Sequence, residues 1–166
     1  MDVRVRDVQE SDAEGIVVIL NPIIEAGEYT VLDAPLTVEY ERGYIANFPQ
    51  RGVFCVAEDV EDGRIVGFQS LEPYATYTRA FDHVGVMGTF VDLTCRCCGV
   101  GTTLAKYTFG MATRHGYEKI FTYVRVDNID SLAFHLKLGF RIVGTAYRQA
   151  RIGYMYVDEV VIEKFL

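Results

Sequence analysis

The stretch from Val91 to Lys106 constrains this chain more than any other. A strand-forming run, Val84 to Leu93, gives way to Arg96-Cys97-Cys98-Gly99-Val100-Gly101-Thr102. Gly101 to His115 then carries Leu104, Tyr107, Thr108 and Met111 near one helical face. A helix that begins directly after such a turn points its free N–H groups and positive dipole end at the loop. Gly99 and Gly101 remove side chains where a ligand would have to come close, and Arg96 and the Thr102 hydroxyl add donors. Together these describe a cradle for a pyrophosphate. The loop lacks the third glycine of a dinucleotide fingerprint and the Gly-Lys-Ser/Thr ending of a P-loop. Taken alone it is equally a tight strand-to-helix connection.

The rest of the chain sets the architecture. Residues 2–6 alternate as a strand, and Ser11-Asp12-Ala13-Glu14 reads as a capping box with Ser11 as N-cap. The following helix carries Ile16, Val17, Leu20 and Ile24 on one face and should bend or break near Pro22. A second helix runs from Thr37 to about Phe48. Residues 52–58 and 64–71 form a hairpin around Glu61-Asp62-Gly63. After the strand and helix already described, residues 118–126 read as a strand and Ser131 to Leu138 as a short helix closed by Gly139. Residues 140–147 and 154–163 are the last two strands. Seven strands interleaved with helices in this order imply an α+β fold, a mixed sheet with helices on both faces.

The 166 residues fit a single domain, 1–166, and half of them are apolar. The formal net charge of −7 argues against a nucleic-acid partner, because an acidic surface repels a phosphate backbone. No apolar run has the length of a membrane helix, and the charged start, Met1 to Arg6, is unlike a signal peptide. A cytoplasmic protein is expected. Cys95, Cys97 and Cys98 are too crowded for a disulfide framework or a tetrahedral metal site, so reduced thiols and no metal are expected.

The glycine loop gains meaning from a second segment thirty residues downstream, Asn128-Ile129-Asp130-Ser131-Leu132-Ala133-Phe134-His135-Leu136-Lys137-Leu138-Gly139-Phe140. The pair, in this order and at this distance, resembles the two signatures of the GNAT superfamily of N-acyltransferases, and the order of elements fits that family from end to end. The resemblance implies a three-layer fold around a mostly antiparallel sheet, with acetyl-CoA as co-substrate. It implies that Phe90 and Val91 offer backbone groups to the pantetheine arm and that Arg96, Cys97, Cys98, Gly99, Val100, Gly101 and Thr102 hold the pyrophosphate. Asn128 should bond the pantetheine, with Ser131 and His135 close by. A homodimer is also in keeping with the family.

A narrower likeness is to the phosphinothricin acetyltransferase-like branch, through Leu20-Asn21-Pro22-Ile23-Ile24, Glu28-Tyr29-Thr30, His135 and the terminal strand around Asp158. That branch carries a glutamate, its proposed general base, ten positions before the motif arginine. This chain has Val86 there.

Direct acetyl transfer needs a neutral amine, an oxyanion stabiliser and an acid for the departing thiolate. His135 is the candidate acid. Glu28 and Asp82 are candidate acceptors of the ammonium proton, with His83 and Asp92 behind them. Tyr29, Thr30, Tyr74 and Asp158 are candidates for the acceptor pocket. Cys97 and Cys98 fit loop filler better than nucleophiles, since an acyl-cysteine would need an adjacent base. The expected function is acetylation of the primary amine of a small molecule, an amino acid or analogue. The alternatives are a polyamine, an aminoglycoside, a protein amine, or a non-catalytic acyl-CoA-binding module.

Overall fold

The computed structural model describes all residues from Met1 to Leu166. Seven strands form one sheet: β1 (Val3–Asp7), β2 (Val53–Asp59), β3 (Ile65–Pro73), β4 (Val84–Val91), β5 (Lys119–Arg125), β6 (Arg141–Ile152) and β7 (Met155–Phe165). Their spatial order is β1-β2-β3-β4-β5-β7-β6. Every neighbouring pair is antiparallel except β4 and β5.

Four helices cover the sheet: α1 (Ala13–Glu25), α2 (Val38–Ala46), α3 (Val100–Arg114) and α4 (Ile129–Lys137). Strand alternation assigns them to faces. On β2, Phe54 and Val56 pack with Ile16, Leu20 and Ile45 of α1 and α2. Cys55 and Ala57 between them pack with Val100 and Leu104 of α3. Phe140, just after α4, joins Leu71, Met87, Ile120 and Val124 on that same second face. The three layers expected from the family are therefore present, and β2 is buried on both sides.

Three local expectations are corrected. Ser11 does not cap α1; residues Glu10–Asp12 form a 3-10 turn, and Asp12 accepts from the Gln9 N–H at 2.7 Å and from Arg6 at 2.7 and 2.8 Å. A buried ion pair to β1 thus outcompetes the local cap. Pro22 neither ends nor interrupts α1. The donor it lacks would have bonded the carbonyl of Val18, a residue 66% exposed, so water can replace that bond. Strand β6 runs on to Ile152, well past Tyr147, because register shifts near Ile142 and Ala146 let it continue.

No helix is long and apolar enough to cross a membrane. No group of three or more His, Cys, Asp or Glu side chains is placed to hold a metal ion.

Candidate active site

The site begins as a fault in the sheet. Strands β4 and β5 pair only at Val84–Lys119 and Gly85–Ile120, then part. Beyond that point each edge lacks a strand partner from the other. The Thr122 hydroxyl reaches across and donates to the Met87 carbonyl at 2.7 Å, bridging the mouth of the gap. The outer ladders to β3 and β7 stay intact and hold the two edges apart.

The gap widens into two joined cavities. The inner one, about 120 Å³, lies between Gly88–Phe90 of β4 and Tyr123–Arg125 of β5. Asn128, Ser131 and His135 close it from the α4 side, and Tyr29, Thr30 and Val31 from the loop after α1. The outer cavity, about 390 Å³, is lined by Ser70, Glu72 and Pro73 of β3, Val86 and Thr122 at the split, and Val31. Val31, Met87, Gly88, Tyr123 and Glu159 belong to both, so they form the seam.

At the end of β4, Asp92 caps a 3-10 turn (Leu93–Cys95) by accepting from Thr94, and pairs with Arg64 at 2.9 Å. The chain then curls through positive φ at Cys97 (61°) and Gly99 (84°) into α3. None of the backbone N–H groups from Arg96 to Thr102 has a hydrogen-bond acceptor within the protein; the first helical bond runs from Thr103 N–H to Gly99 O at 3.0 Å. A Cβ on Gly99 would meet nothing within 4 Å, whereas one on Gly101 would stand 3.1 Å from the Phe134 ring. Gly99 therefore serves the turn and the open space above it, and Gly101 serves the close approach of α3 to α4. Cys97 and Cys98 are exposed, and Val100 is buried beneath the loop.

The loop is tied to the inner cavity. The Arg96 guanidinium lies 3.9 Å over the Tyr29 ring. Asn128 caps α4 by accepting from Ser131 N–H at 3.1 Å, and donates one amide hydrogen to Tyr29 O at 3.2 Å. Its second amide hydrogen stays free for a ligand in the cavity. Arg125 is 8% exposed and commits its donors to Asp127, Gly27 O and Thr30 O, which pins the Gly27–Thr30 loop over the cleft.

His135 is buried, with Nδ1 2.7 Å from Ser131 O. A carbonyl only accepts, so Nδ1 carries the proton and the neutral ring keeps its Nε2 lone pair. Burial lowers the imidazole below its ordinary range, against a smaller opposing pull from Ser131 O. The ring is thus neutral near pH 7, an acceptor at Nε2. The proton-donor role expected from the sequence requires the imidazolium that burial disfavours.

Of the expected site residues, Phe90, Tyr29, Thr30, Asn128, Ser131 and His135 meet in the inner cavity. Val91 ends β4 beside Gly101, at the foot of the loop. Four others stand elsewhere. Glu28 is exposed on the turn and lines neither cavity. Asp82 is engaged by Arg79 at 3.4 Å and Arg51 at 3.7 Å, at the closed end of the split. Tyr74 packs edge-to-face on Phe81 and Phe121. Asp158 accepts from Arg148 N–H at 2.6 Å and so holds the β6 irregularity in which Arg148 has φ 53°.

The acidic residues that line the cavities in their place are one or two steps away on the strands. Glu159 follows Asp158 and therefore faces the opposite side of the sheet. Burial raises its carboxyl above the ordinary carboxylate range, an effect partly offset by Arg125. Glu72 sits on β3 directly across from Val86 in the antiparallel register. The Asp127 two residues after Arg125 was the one sequence signal for that pin; Glu72 and Glu159 carried none.

Residues 23–140 match the acetyltransferase (GNAT) family. The chain belongs to that family. YwnH of Bacillus subtilis is 27% identical over 136 residues, covering 81% of this chain and 82% of its own. Phosphinothricin N-acetyltransferase of Streptomyces coelicolor is 25% identical over 150 residues, 89% of this chain and 86% of its own. The fold matches a GNAT phosphinothricin acetyltransferase from Sinorhizobium meliloti, crystallised with acetyl-CoA, at a TM-score of 0.90 and 19% identity; the match covers all of this chain and 89% of that one. As a GNAT acetyltransferase, the chain carries its loop from Arg96 to Thr102 and its segment from Asn128 to Phe140 beside the parted strands.

Proposed function

We propose that the protein transfers the acetyl group of acetyl-CoA directly to the primary amine of a small molecule. The observation that carries this reading is the run of unbonded N–H groups from Arg96 to Thr102 at the head of α3, beside a sheet that opens only there. Such a run offers a pyrophosphate many donors and a favourable dipole at once. The unpartnered β4 edge offers the pantetheine amides the ladder that β5 has vacated. Asn128, through its free amide hydrogen, and His135, through Nε2, complete the arm's partners inside the inner cavity.

The thioester then comes to the seam, with the acceptor in the outer cavity. The amine nitrogen bonds the acetyl carbon, the C–S bond breaks, and the ammonium proton goes to a carboxylate. Glu159 is placed for that last task, standing where both cavities meet and holding a carboxyl that burial makes more basic. The CoA thiolate takes its proton from water that enters through the outer cavity. We also infer a homodimer, supported by the exposed aromatic side chains Tyr147 and Tyr154 on the β6–β7 hairpin, which sedimentation velocity would test.

Calorimetry with acetyl-CoA, followed by a free-thiol assay against phosphinothricin and a panel of simple amines, tests the reading. Binding and amine-dependent thiol release are expected. Binding without release from any amine would leave an acyl-CoA-binding module, and no binding would remove the reading altogether.

A further inference from the structure

The charge on the outer cavity bears on what the acceptor is. Its lining holds two carboxylates, Glu72 and Glu159, and no Lys, Arg or His. The remaining lining is apolar, glycine, hydroxyl or tyrosine. Arg125, the only Lys or Arg on the adjoining inner cavity, has its guanidinium committed to Asp127 and two carbonyls. An acceptor carrying its own carboxylate would bring that charge against two more of the same sign, with only the already committed Arg125 near Glu159 to offset it.

Glu72 has the position of a built recognition group. It faces Val86 across the β3–β4 ladder, so both side chains leave the sheet on one face. The Tyr44 hydroxyl, from α2, donates to Glu72 Oε1 and fixes the carboxylate, while no protein donor reaches Oε2. Tyr44 stays protonated to do so, because burial and the neighbouring carboxylate push its hydroxyl well above the ordinary range. Glu159 stands on the far wall. The order β3-β4-β5-β7 puts three strand spacings between the two residues, and the registers set them about four residues apart along the strands, roughly 19 Å of backbone separation. A compact amino acid does not bridge such walls; an extended aliphatic chain does.

We propose that the acceptor is an aliphatic amine with a second cationic group, its reacting nitrogen at Glu159 on the seam and its distal cation at Glu72. This rests on the acetyl-transfer reading above and names the substrate class for the same site. The distal carboxylate supplies selectivity, and the seam carboxylate takes the proton.

Three acceptors of equal chain length separate the possibilities: octylamine, its ω-amino counterpart diaminooctane, and its ω-carboxylate counterpart aminooctanoate. Each is assayed by thiol release at low ionic strength. A charge-assisted contact to the distal ammonium should give diaminooctane a kcat/KM roughly ten- to a hundredfold above octylamine, with aminooctanoate below both. In Glu72→Gln the diamine should fall to the level of octylamine, and in Glu72→Lys aminooctanoate should overtake the diamine. Calorimetry should show acetyl-CoA still bound by both variants, which certifies their fold. Turnover without a diamine preference, or a preference that survives Glu72→Gln, overturns the proposal and leaves acetyl transfer standing. No thiol release with any of the three, while phosphinothricin or another simple amine gives release, overturns this proposal alone; no release from any amine, with acetyl-CoA bound, overturns acetyl transfer and this proposal with it.

Discussion

Replacing Gly101 by alanine separates two reasons for which a glycine can occupy this loop. The added Cβ would stand 3.1 and 3.2 Å from Cζ and Cε2 of Phe134 and 3.7 Å from Val91. The first two distances are too short for ordinary contact, so α4 must retreat by a few tenths of an ångström or the ring must turn. Overpacking of this kind costs about 1–3 kcal/mol. Alanine recovers about 1 kcal/mol over glycine within a helix. The net loss is about 0–2 kcal/mol. With an unfolding entropy of about 2.1 cal/mol/K per residue, a chain this long loses about 3 °C in Tm per kcal/mol, so a drop of up to about 6 °C is expected.

The retreat would also carry Asn128, Ser131 and His135 away from the inner cavity they line. Acetyl-CoA binding should therefore weaken together with stability. Phe134→Leu removes the offending ring edge, and the double variant should recover both, with a coupling of at least about 1 kcal/mol in a thermal-unfolding cycle. Gly99→Ala is the control. Its φ of 84° strains any L residue by about 1–2 kcal/mol, but nothing lies within 4 Å of the new Cβ, so Phe134→Leu should not rescue it. A Gly101→Ala protein that melts and binds as the native one does, or whose loss Phe134→Leu fails to relieve, would refute the packing argument.

Arg125→Lys keeps the charge but not the fork that holds Asp127, Gly27 O and Thr30 O; acetyl-CoA affinity by calorimetry should fall about tenfold, the scale of one lost charge-assisted bond. Asp12→Asn breaks a buried pair that Glu58 only partly replaces at Arg6, and should cost about 1–3 kcal/mol in denaturant unfolding. Asp12 titrates below its unfolded value, so its contribution is present above about pH 4 and is lost as pH falls through the folded value. The advantage of the native protein over Asp12→Asn should therefore shrink in acid. Glu159→Gln should do the opposite. Its carboxyl titrates above the unfolded value, so the native ionised form is a burden that grows as pH rises through the folded value. The variant should melt higher than the native protein at pH 8 and lose most of its kcat there.

The seven strands and four helices were legible because hydrophobic periodicity is local and each element obeys it. The close of α4 was legible for the same reason: Gly139, with φ 89°, follows the helix end, whereas the start lies at Ile129 behind the Asn128 cap, two residues ahead of the expected Ser131. Ser11 was misread because Asp12 answers to Arg6 on another strand, a partner that no local pattern reveals. The acidic site residues failed in a similar way. Asp158 and Glu159 are adjacent, and only the register of β7 against β5 and β6 decides which of them faces the cleft. Glu72 was invisible because its relation to Val86 is a pairing across a ladder. In sequence the gap at Val86 looked like a missing group. In space the neighbouring strand carries a carboxylate to the same face.

That exchange depends on where the sheet parts. Had β4 and β5 stayed paired beyond Gly85 and Ile120, the side chains of Glu72 and Glu159 would stand above a continuous surface, with no space between them for an acceptor. The sheet gives up the ladder along Val86–Val91, and the loss is limited because β3 and β7 saturate the outer edges and Thr122 ties Met87 across the gap. Backbone groups left without partners in a half-buried cleft call for an extended, amide-bearing ligand. Carboxylates left without an ion-pair partner call for an ammonium. The two demands fall on adjoining cavities that share Val31, Met87, Gly88, Tyr123 and Glu159, so an arm satisfying the first and an amine satisfying the second must meet at that seam. The reaction follows from the sheet's opening and the charge placed around it more directly than from any single catalytic side chain.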